Sequence, residues 1–521
     1  MLRNLLSLST GDIRRLEDAG VVSGWPPRPG ASPPDQWGGT AILGVDGARG
    51  HPLGPLPPSG PVPRGRRGPS EGDSPRAGPN VGPESASGDA VAWSDWIRQR
   101  TSPDHAGARP EALDDLVVLD ASVGHVGSLF CSSILAEFGA TVIRIEPPGG
   151  DPARRFSPLG ITCGGTGLGY LVEGRNKLHV TLNLETGEGR AIWRALTRQA
   201  DVVIENFPAG TLDRQGVGYR HLAAENPRLI YVALSTYGQF GPRARTCRPD
   251  YDITDQALSG LVHVCGEREE DEAGPHAVPT RAGQWLAWYA QGGWGAFGVL
   301  AALRHRGTTG QGQMVDVAGA EALVRFVDFN LLLYHTSGRV RGRVGPFDES
   351  NNPYTYLPCK NGYVFLAGFS DTNFYALAEV IGRPDLRDDP RFDSAVKRSQ
   401  PEHWWPLYRE IEKWTRRLTA DEILERVMGY QGRGVVVTGK INGPAETLDE
   451  AHWWERGVFR RLEDPVYGEL LVQAPPWKMT ETPPRLKWLC RPVGADNEYV
   501  YLKHLGYGCG RIRQLRESGI L

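Results

Sequence analysis

The 521-residue chain has little sulfur, no strong charge of either sign and no long apolar run. Its 7 cysteines are scattered, with no C-x-x-C pair. An odd, dispersed set argues against a disulfide scaffold or a thiolate zinc site and fits a reducing cytoplasm. There is no H-E-x-x-H and no dense His/Asp cluster, so no metal is expected. No run approaches the roughly 18 apolar residues of a membrane span. The formal net charge is −3, so no global basic field invites nucleic acid. The local cluster Arg64-Gly-Arg-Arg67 sits among prolines and reads as solvated linker. Asp12, Glu17 and Asp18 speak against an acid-poor transit peptide, and the same stretch lacks the apolar core of a secretion signal. What is present, 40% hydrophobic and 23% charged residues, is the composition of a globular protein. The length suits about two to four domains.

Residues 23–113 are rich in Pro, Gly, Ser and Arg and sparse in aliphatics, so they cannot bury enough apolar surface to offset chain entropy. They are expected to be a disordered linker, in which Ala41-Ile-Leu43 and Val91-Ala-Trp93 are short apolar islands that could dock. Before them, residues 1–22 share a grammar with the end of the chain. Leu6, Gly11, Ile13, Arg14, Leu16 and Gly20 coincide with Leu505, Gly510, Ile512, Arg513, Leu515 and Gly519. Each end reads as a loop, an amphipathic helix, a glycine stop and two aliphatics. A tail of a preceding, tandem module is one reading of residues 1–22. A chance amphipathic helix is the other.

From Asp114 the pattern becomes regular. Leu116–Asp120 reads as a strand, Ser128–Phe138 as a helix stopped by Gly139, and Ala140–Glu146 as a second strand. A helix over 187–199 and strands over 201–205 and 229–235 continue the alternation, which implies an α/β, doubly wound parallel sheet. Trp285–Leu303 reads as a helix rich in Gly and Ala, suited to close packing. Met314–Val317 reads as a strand and Glu321–Tyr334 as a helix. The expected organisation is a large α/β domain over 114–318, a connecting helix over 319–345, a smaller α+β domain over 346–445, and a return to the large domain over 446–521.

Several segments carry chemistry. Gly124-His-Val-Gly127 follows the first strand, and Glu146 ends the second, where a ribose-binding acid would sit. The glycine spacing is not G-x-G-x-x-G, so a nicotinamide dinucleotide is disfavoured. Asn206, Phe207 and Arg214 follow a strand end, a setting suited to an adenine and phosphate site; capping and packing are the plain alternative. Lys177, in Arg175-Asn-Lys-Leu-His-Val-Thr-Leu-Asn-Leu184, could meet a phosphate or simply close a solvated strand end. Paired tryptophans at 404–405 and 453–454 suit a bulky apolar acid or ordinary packing equally well.

Taken together, the runs Val203–Tyr219, Arg248–Leu261, Pro279–Leu303 and Thr309–Val317 resemble the family III CoA-transferases, with a looser match over Pro492–Val500. The resemblance covers about residue 114 to the end. It implies that Asn206, Phe207 and Arg214 help hold coenzyme A, with Lys177 a weaker candidate. It also implies CoA esters and carboxylic acids as ligands, no covalently bound cofactor, and interlocked dimers. The family nucleophile, an aspartate that attacks the acyl-CoA carbonyl and passes through an anhydride and an enzyme–CoA thioester, matches position 288. This chain has Trp288 there, and Pro279–Leu303 contains no Asp or Glu in any register. Asp250, Asp252 and Asp255 lie on another segment, and recruiting one requires new geometry. Racemase members carry a histidine where Tyr251 stands, so a two-base racemase is disfavoured. The expected role is the non-catalytic subunit or module of a heteromeric or tandem CoA-transferase, a homodimer or a heteromer with an Asp-bearing sister. An enzyme with non-covalent CoA-ester chemistry and a CoA-ester-binding pseudoenzyme are the alternatives.

Overall fold

The computed structural model describes residues 87–246, 251–268 and 278–521. The expectations for residues 1–22, for most of the linker and for Asp250 lie outside the described residues. One compact unit takes in the described residues up to Arg154 and from Gly169 onward; a second takes in Arg155–Leu168. That short stretch carries a hairpin, Thr162–Cys163 antiparallel to Thr166–Gly167, turned by Gly164 and Gly165 at positive φ.

The first unit is built on six parallel strands: β1 (Val117–Asp120), β2 (Thr141–Glu146), β3 (Lys177–Thr181), β4 (Val202–Glu205), β5 (Ile230–Ser235) and β6 (Met314–Ala318). Their order is β3-β2-β1-β4-β5-β6. Chain progression therefore reverses between β1 and β4, the point beyond whose carboxyl ends open α/β sheets bind ligands. Successive side chains of a strand face opposite ways. Accordingly Leu119, Ile143, Val203 and Tyr231 bury against α2 (Gly187–Thr197). Val118, Val142, Val202 and Val232 bury on the other face, against α1 (Val126–Glu137) and α4 (Leu286–Thr309). The last two helices, α8 (Asn497–Leu505) and α9 (Cys509–Glu517), return to the first face with Val500, Tyr501, Ile512 and Leu515.

The glycines of α4 let it lie directly on α1. A Cβ at Gly292 would strike the Gly127 carbonyl, and one at Gly295 would stand 3.1 Å from Cys131 Sγ. The helix runs six residues past its expected end at Leu303, to a left-handed Gly310. The single helix expected over 321–334 is instead two, Gly319–Val324 and Asn330–Ser337. Asp328, at φ 57°, breaks the run. Within the expected linker, Ser87–Thr101 is helical. Ion pairs Asp104–Arg460 and Glu111–Lys487, both at 2.7 Å, tie the following segment to later parts of the chain.

A three-stranded antiparallel sheet follows: β7 (Tyr354–Cys359), β8 (Gly362–Ala367) and β9 (Val437–Lys440). It packs on α5 (Asp371–Val380), α6 (Pro401–Thr415) and α7 (Ala420–Met428) around Leu357, Leu366, Phe374, Ile411 and Ile423. Trp404 is buried against Phe347 in this region, which is ordinary packing. A separate hairpin pairs Phe459–Asp464 with Gly468–Gln473.

Candidate functional site

Three side chains expected at the site lie beyond the end of β4. Asn206 accepts from the Val123 N–H (2.7 Å) and donates to the Val123 carbonyl (3.0 Å). One amide thus clamps the loop after β1 to the loop after β4, across the point where strand order reverses. Phe207 is half-buried against the core, and its N–H donates to Glu205 Oε2 at 2.5 Å. Burial pushes the Glu205 carboxyl up to about 8. Arg214 is exposed on the single turn Thr211–Arg214 and donates to the Ala209 carbonyl (3.2 Å) and Thr211 Oγ1 (3.1 Å). Its guanidinium keeps further donors for an anion.

Lys177 does not join them. It is fully buried, and its Nζ donates to the carbonyls of Leu129 (2.7 Å) and Glu173 (2.6 Å). Burial pushes this ammonium down to about 8. It faces the core, so the expectation that it meets a phosphate does not fit its placement. Glu146 is likewise buried; it accepts from Arg154 Nε (2.6 Å), Arg154 Nη2 (2.7 Å) and the Asp151 N–H (2.9 Å). A ribose has no access to it.

Sequence reasoning missed the charged cluster beneath the β1 loop. Arg144, wholly buried, donates to Asp120 Oδ1 (2.7 Å) and Ser122 Oγ (2.9 Å), and pairs with Asp151. Asp151 in turn accepts from the Gly124 N–H (2.9 Å) and the Ala153 N–H (2.6 Å). Burial pushes Asp120 up, but Arg144 and Lys177 outweigh it and hold the carboxyl below its usual range. The cluster fixes Ser122–Gly124 from below while Asn206 fixes Val123 from the side. A charged residue on a parallel strand next to an otherwise aliphatic run, as in Val-Ile-Arg-Ile-Glu, was the available signal.

The same loop delivers His125, the N-cap of α1. Its Nδ1 accepts from the Ser128 N–H at 2.9 Å and lies 2.8 Å from Ser128 Oγ. Its ring packs on the Trp288 indole, centroids 4.7 Å apart and planes tilted 57°. Trp288 is 4% exposed in the first turn of α4. Trp285 flanks it with centroids 6.4 Å apart. The Trp288 carbonyl lies 2.5 Å from where a Cβ of Gly127 would be, so only glycine fits at 127.

Asp252, in α3 (Asp252–Ser259), caps the start of α4. Its Oδ1 accepts from the Ala287 (2.8 Å) and Trp288 (3.1 Å) N–H groups, and its Oδ2 from Gln256 Nε2 at 2.7 Å. Burial raises this carboxyl, yet three donors occupy it as a helix cap. Tyr251, one residue earlier, is about half exposed. Among the described residues no group of three or more His, Cys, Asp or Glu is placed to hold a metal. No helix among them is long and apolar enough to cross a membrane.

With this geometry in view, the comparisons agree. A profile of CoA-transferase family III matches residues 113–497. The succinyl-CoA–L-malate CoA-transferase alpha subunit of Chloroflexus aurantiacus is 34% identical over 395 residues, 75% of this chain and 89% of that protein. The beta subunit of the same name, from the same species, is 33% identical over 417 residues, 78% of this chain and 98% of its own. A CAIB/BAIF family protein from Brucella suis superposes with a TM-score of 0.67 at 26% identity, covering 76% of this chain and all of that one.

Proposed function

The chain belongs to CoA-transferase family III, and from that premise we propose that it is the non-catalytic member of a heteromeric or tandem CoA-transferase. One feature supports this reading: Trp288, which the resemblance sets at the position of the family nucleophile, is a buried indole, and Pro279–Leu303 contains no carboxylate. The covalent steps of the family reaction need a carboxylate oxygen, first to form the anhydride and then to carry CoA as a thioester. An indole nitrogen is not a nucleophile at neutral pH. The residues proposed to hold CoA support a retained ligand site: Asn206 is clamped to Val123 and Arg214 is open to solvent.

In this reading Asn206, Phe207 and Arg214 hold the nucleotide end of CoA at the strand-order reversal, and the pantetheine arm follows the loop Val123–His125 and the start of α1 toward Trp288. The partner is a same-fold subunit with an aspartate at the matching position, in an interlocked dimer in the cytoplasm. The two similar proteins named as alpha and beta subunits are the precedent for unlike chains in one transferase.

A single observation favours a second reading, an enzyme with a relocated carboxylate: Asp252 stands at the same helix end. Hydroxylamine separates the two. An enzyme–CoA thioester reacts with it to give a protein hydroxamate and free CoA. Incubated with succinyl-CoA and hydroxylamine, the chain alone should acquire no hydroxamate by mass spectrometry. In complex with an Asp-bearing sister, the label should appear on the sister only. A hydroxamate on Asp252 would establish the second reading instead.

A further inference from the structure

We infer that Asp316 is a positioning residue for an anion site at Arg214, acting through Gln239 and the Gly210 peptide. The inference rests on the proposed placement of CoA and goes beyond it by naming what sets the guanidinium in place.

Asp316 lies on β6 and reaches the turn that follows β5. Its Oδ2 accepts from the Gln239 N–H at 2.8 Å. The same oxygen stands 3.2 Å from where a Cβ of Gly238 would be, and Gly238 is left-handed at φ 71°. From this turn the Gln239 side chain crosses to the turn that carries Arg214, where its Oε1 accepts from the Gly210 N–H at 3.4 Å. Gly210, at φ 69°, is the N-cap of that turn and has no side chain to brace it. Arg214 in turn rests on the Gly210 peptide. Its N–H donates to the Gly210 carbonyl at 3.0 Å, and its Nη1 to the Ala209 carbonyl at 3.2 Å. A Cβ at Gly210 would stand 3.3 Å from that Nη1. One line of contacts therefore runs from β6 to the exposed guanidinium. Its longest link is at Gly210, so the influence on Arg214 is graded.

Folding alone does not account for Asp316. A carboxylate withdrawn from water costs stability unless several donors meet it. Asp316 Oδ1 is buried with no hydrogen-bond partner among the described residues, and so is Gln239 Nε2. Burial raises the Asp316 carboxyl accordingly. A polar group retained at a cost to the fold is expected where a site needs it.

Titration calorimetry with CoA and thermal melting, both on the full-length protein, test this together. Asp316→Ala should weaken CoA binding about three- to tenfold, the range one hydrogen bond spans, with a melting temperature equal to or above that of wild type. Asp316→Asn retains an acceptor for the Gln239 N–H and should bind as wild type does. In an Arg214→Ala background, Asp316→Ala should change affinity by less than about twofold, because the residue it acts through is gone. Gln239→Ala should repeat the pattern of Asp316→Ala and carries the test should that variant not fold. An equal loss in both backgrounds, or a loss accompanied by a lower melting temperature, would mean general support of the fold and would overturn the inference. Unchanged affinity in Asp316→Ala, with Arg214→Ala weakened, would also overturn it and leave the placement of CoA standing. Unchanged affinity in Arg214→Ala, or no binding of CoA by wild type, would overturn the placement and the inference with it.

Discussion

The loop from Ser122 to His125 has two unlike flanks. Below it lies a buried ionic cluster in which Asp120, Arg144 and Asp151 satisfy one another and hold the loop's backbone. Beside it lies a dry aromatic wall, Trp288 on His125. Both flanks are buried, but they answer to different demands. The ionic flank sets where the loop sits, and removing one charge strands the others. The aromatic flank holds the residue that, in the proposed reading, replaces the family's reactive carboxylate. The contrast teaches that one loop can be positioned by buried charge on one side and by apolar packing on the other, so each flank can be altered separately.

The largest expected effect lies on the ionic flank. Arg144→Ala leaves Asp120 and Asp151 buried without their guanidinium. Breaking such a group from one side costs about 3–5 kcal/mol, read as a fall in the urea midpoint at unchanged slope. By contrast, Trp288→Leu retains an apolar filler and should cost about 1–3 kcal/mol. If Trp288→Leu proved the more damaging of the two, the aromatic flank would be the structural one and the comparison would invert.

A second test uses pH. Burial raises the Glu205 carboxyl from an ordinary 4.5 to about 8. Between those values the folded protein holds a proton that the unfolded chain has released. Stability therefore falls as pH rises through that window, by on the order of 5 kcal/mol from this group. Glu205→Gln retains an acceptor for the Phe207 N–H and has no proton to lose. The variant should melt near wild type at pH 5 and above it at pH 8. An unchanged difference between pH 5 and pH 8 would mean that Glu205 is solvated at the crevice.

Much of the sheet was legible because parallel strands buried on both faces read as aliphatic runs. Val202–Glu205 and Ile230–Ser235 are such runs, and the glycines of α4 announced its close packing on α1. The break at Asp328 was not legible, because one residue at positive φ leaves the apolar periodicity on either side intact. At the site, Asn206, Phe207 and Arg214 fell together at one strand end, as their spacing suggested. Lys177 misled because a lysine beginning a strand looks solvated, and its burial is decided by α1, 48 positions away, together with the nearby Glu173 carbonyl. The Asp151–Gly124 contact spans 27 positions and has no local signature.

Asn206 clamps the same loop from the side of β4, so its loss should be felt in stability and, on the proposed placement of CoA, in binding. Asn206→Ala removes both bonds to Val123, at about 1–2 kcal/mol of stability, and should weaken CoA binding as the loop loosens, read by melting and calorimetry together. Arg214 isolates the remaining term. It is exposed and, among the described residues, bonded only to Ala209 and Thr211, and its removal leaves no buried group there without a partner. Arg214→Ala should therefore move the melting midpoint by less than about 0.5 kcal/mol equivalent. If it contacts a CoA phosphate, the same change should weaken CoA binding about tenfold, and added salt should narrow the gap between variant and wild type. A fall in affinity that salt does not narrow would point to altered shape at Gly210 rather than lost charge. Unchanged affinity would move the phosphates away from this turn.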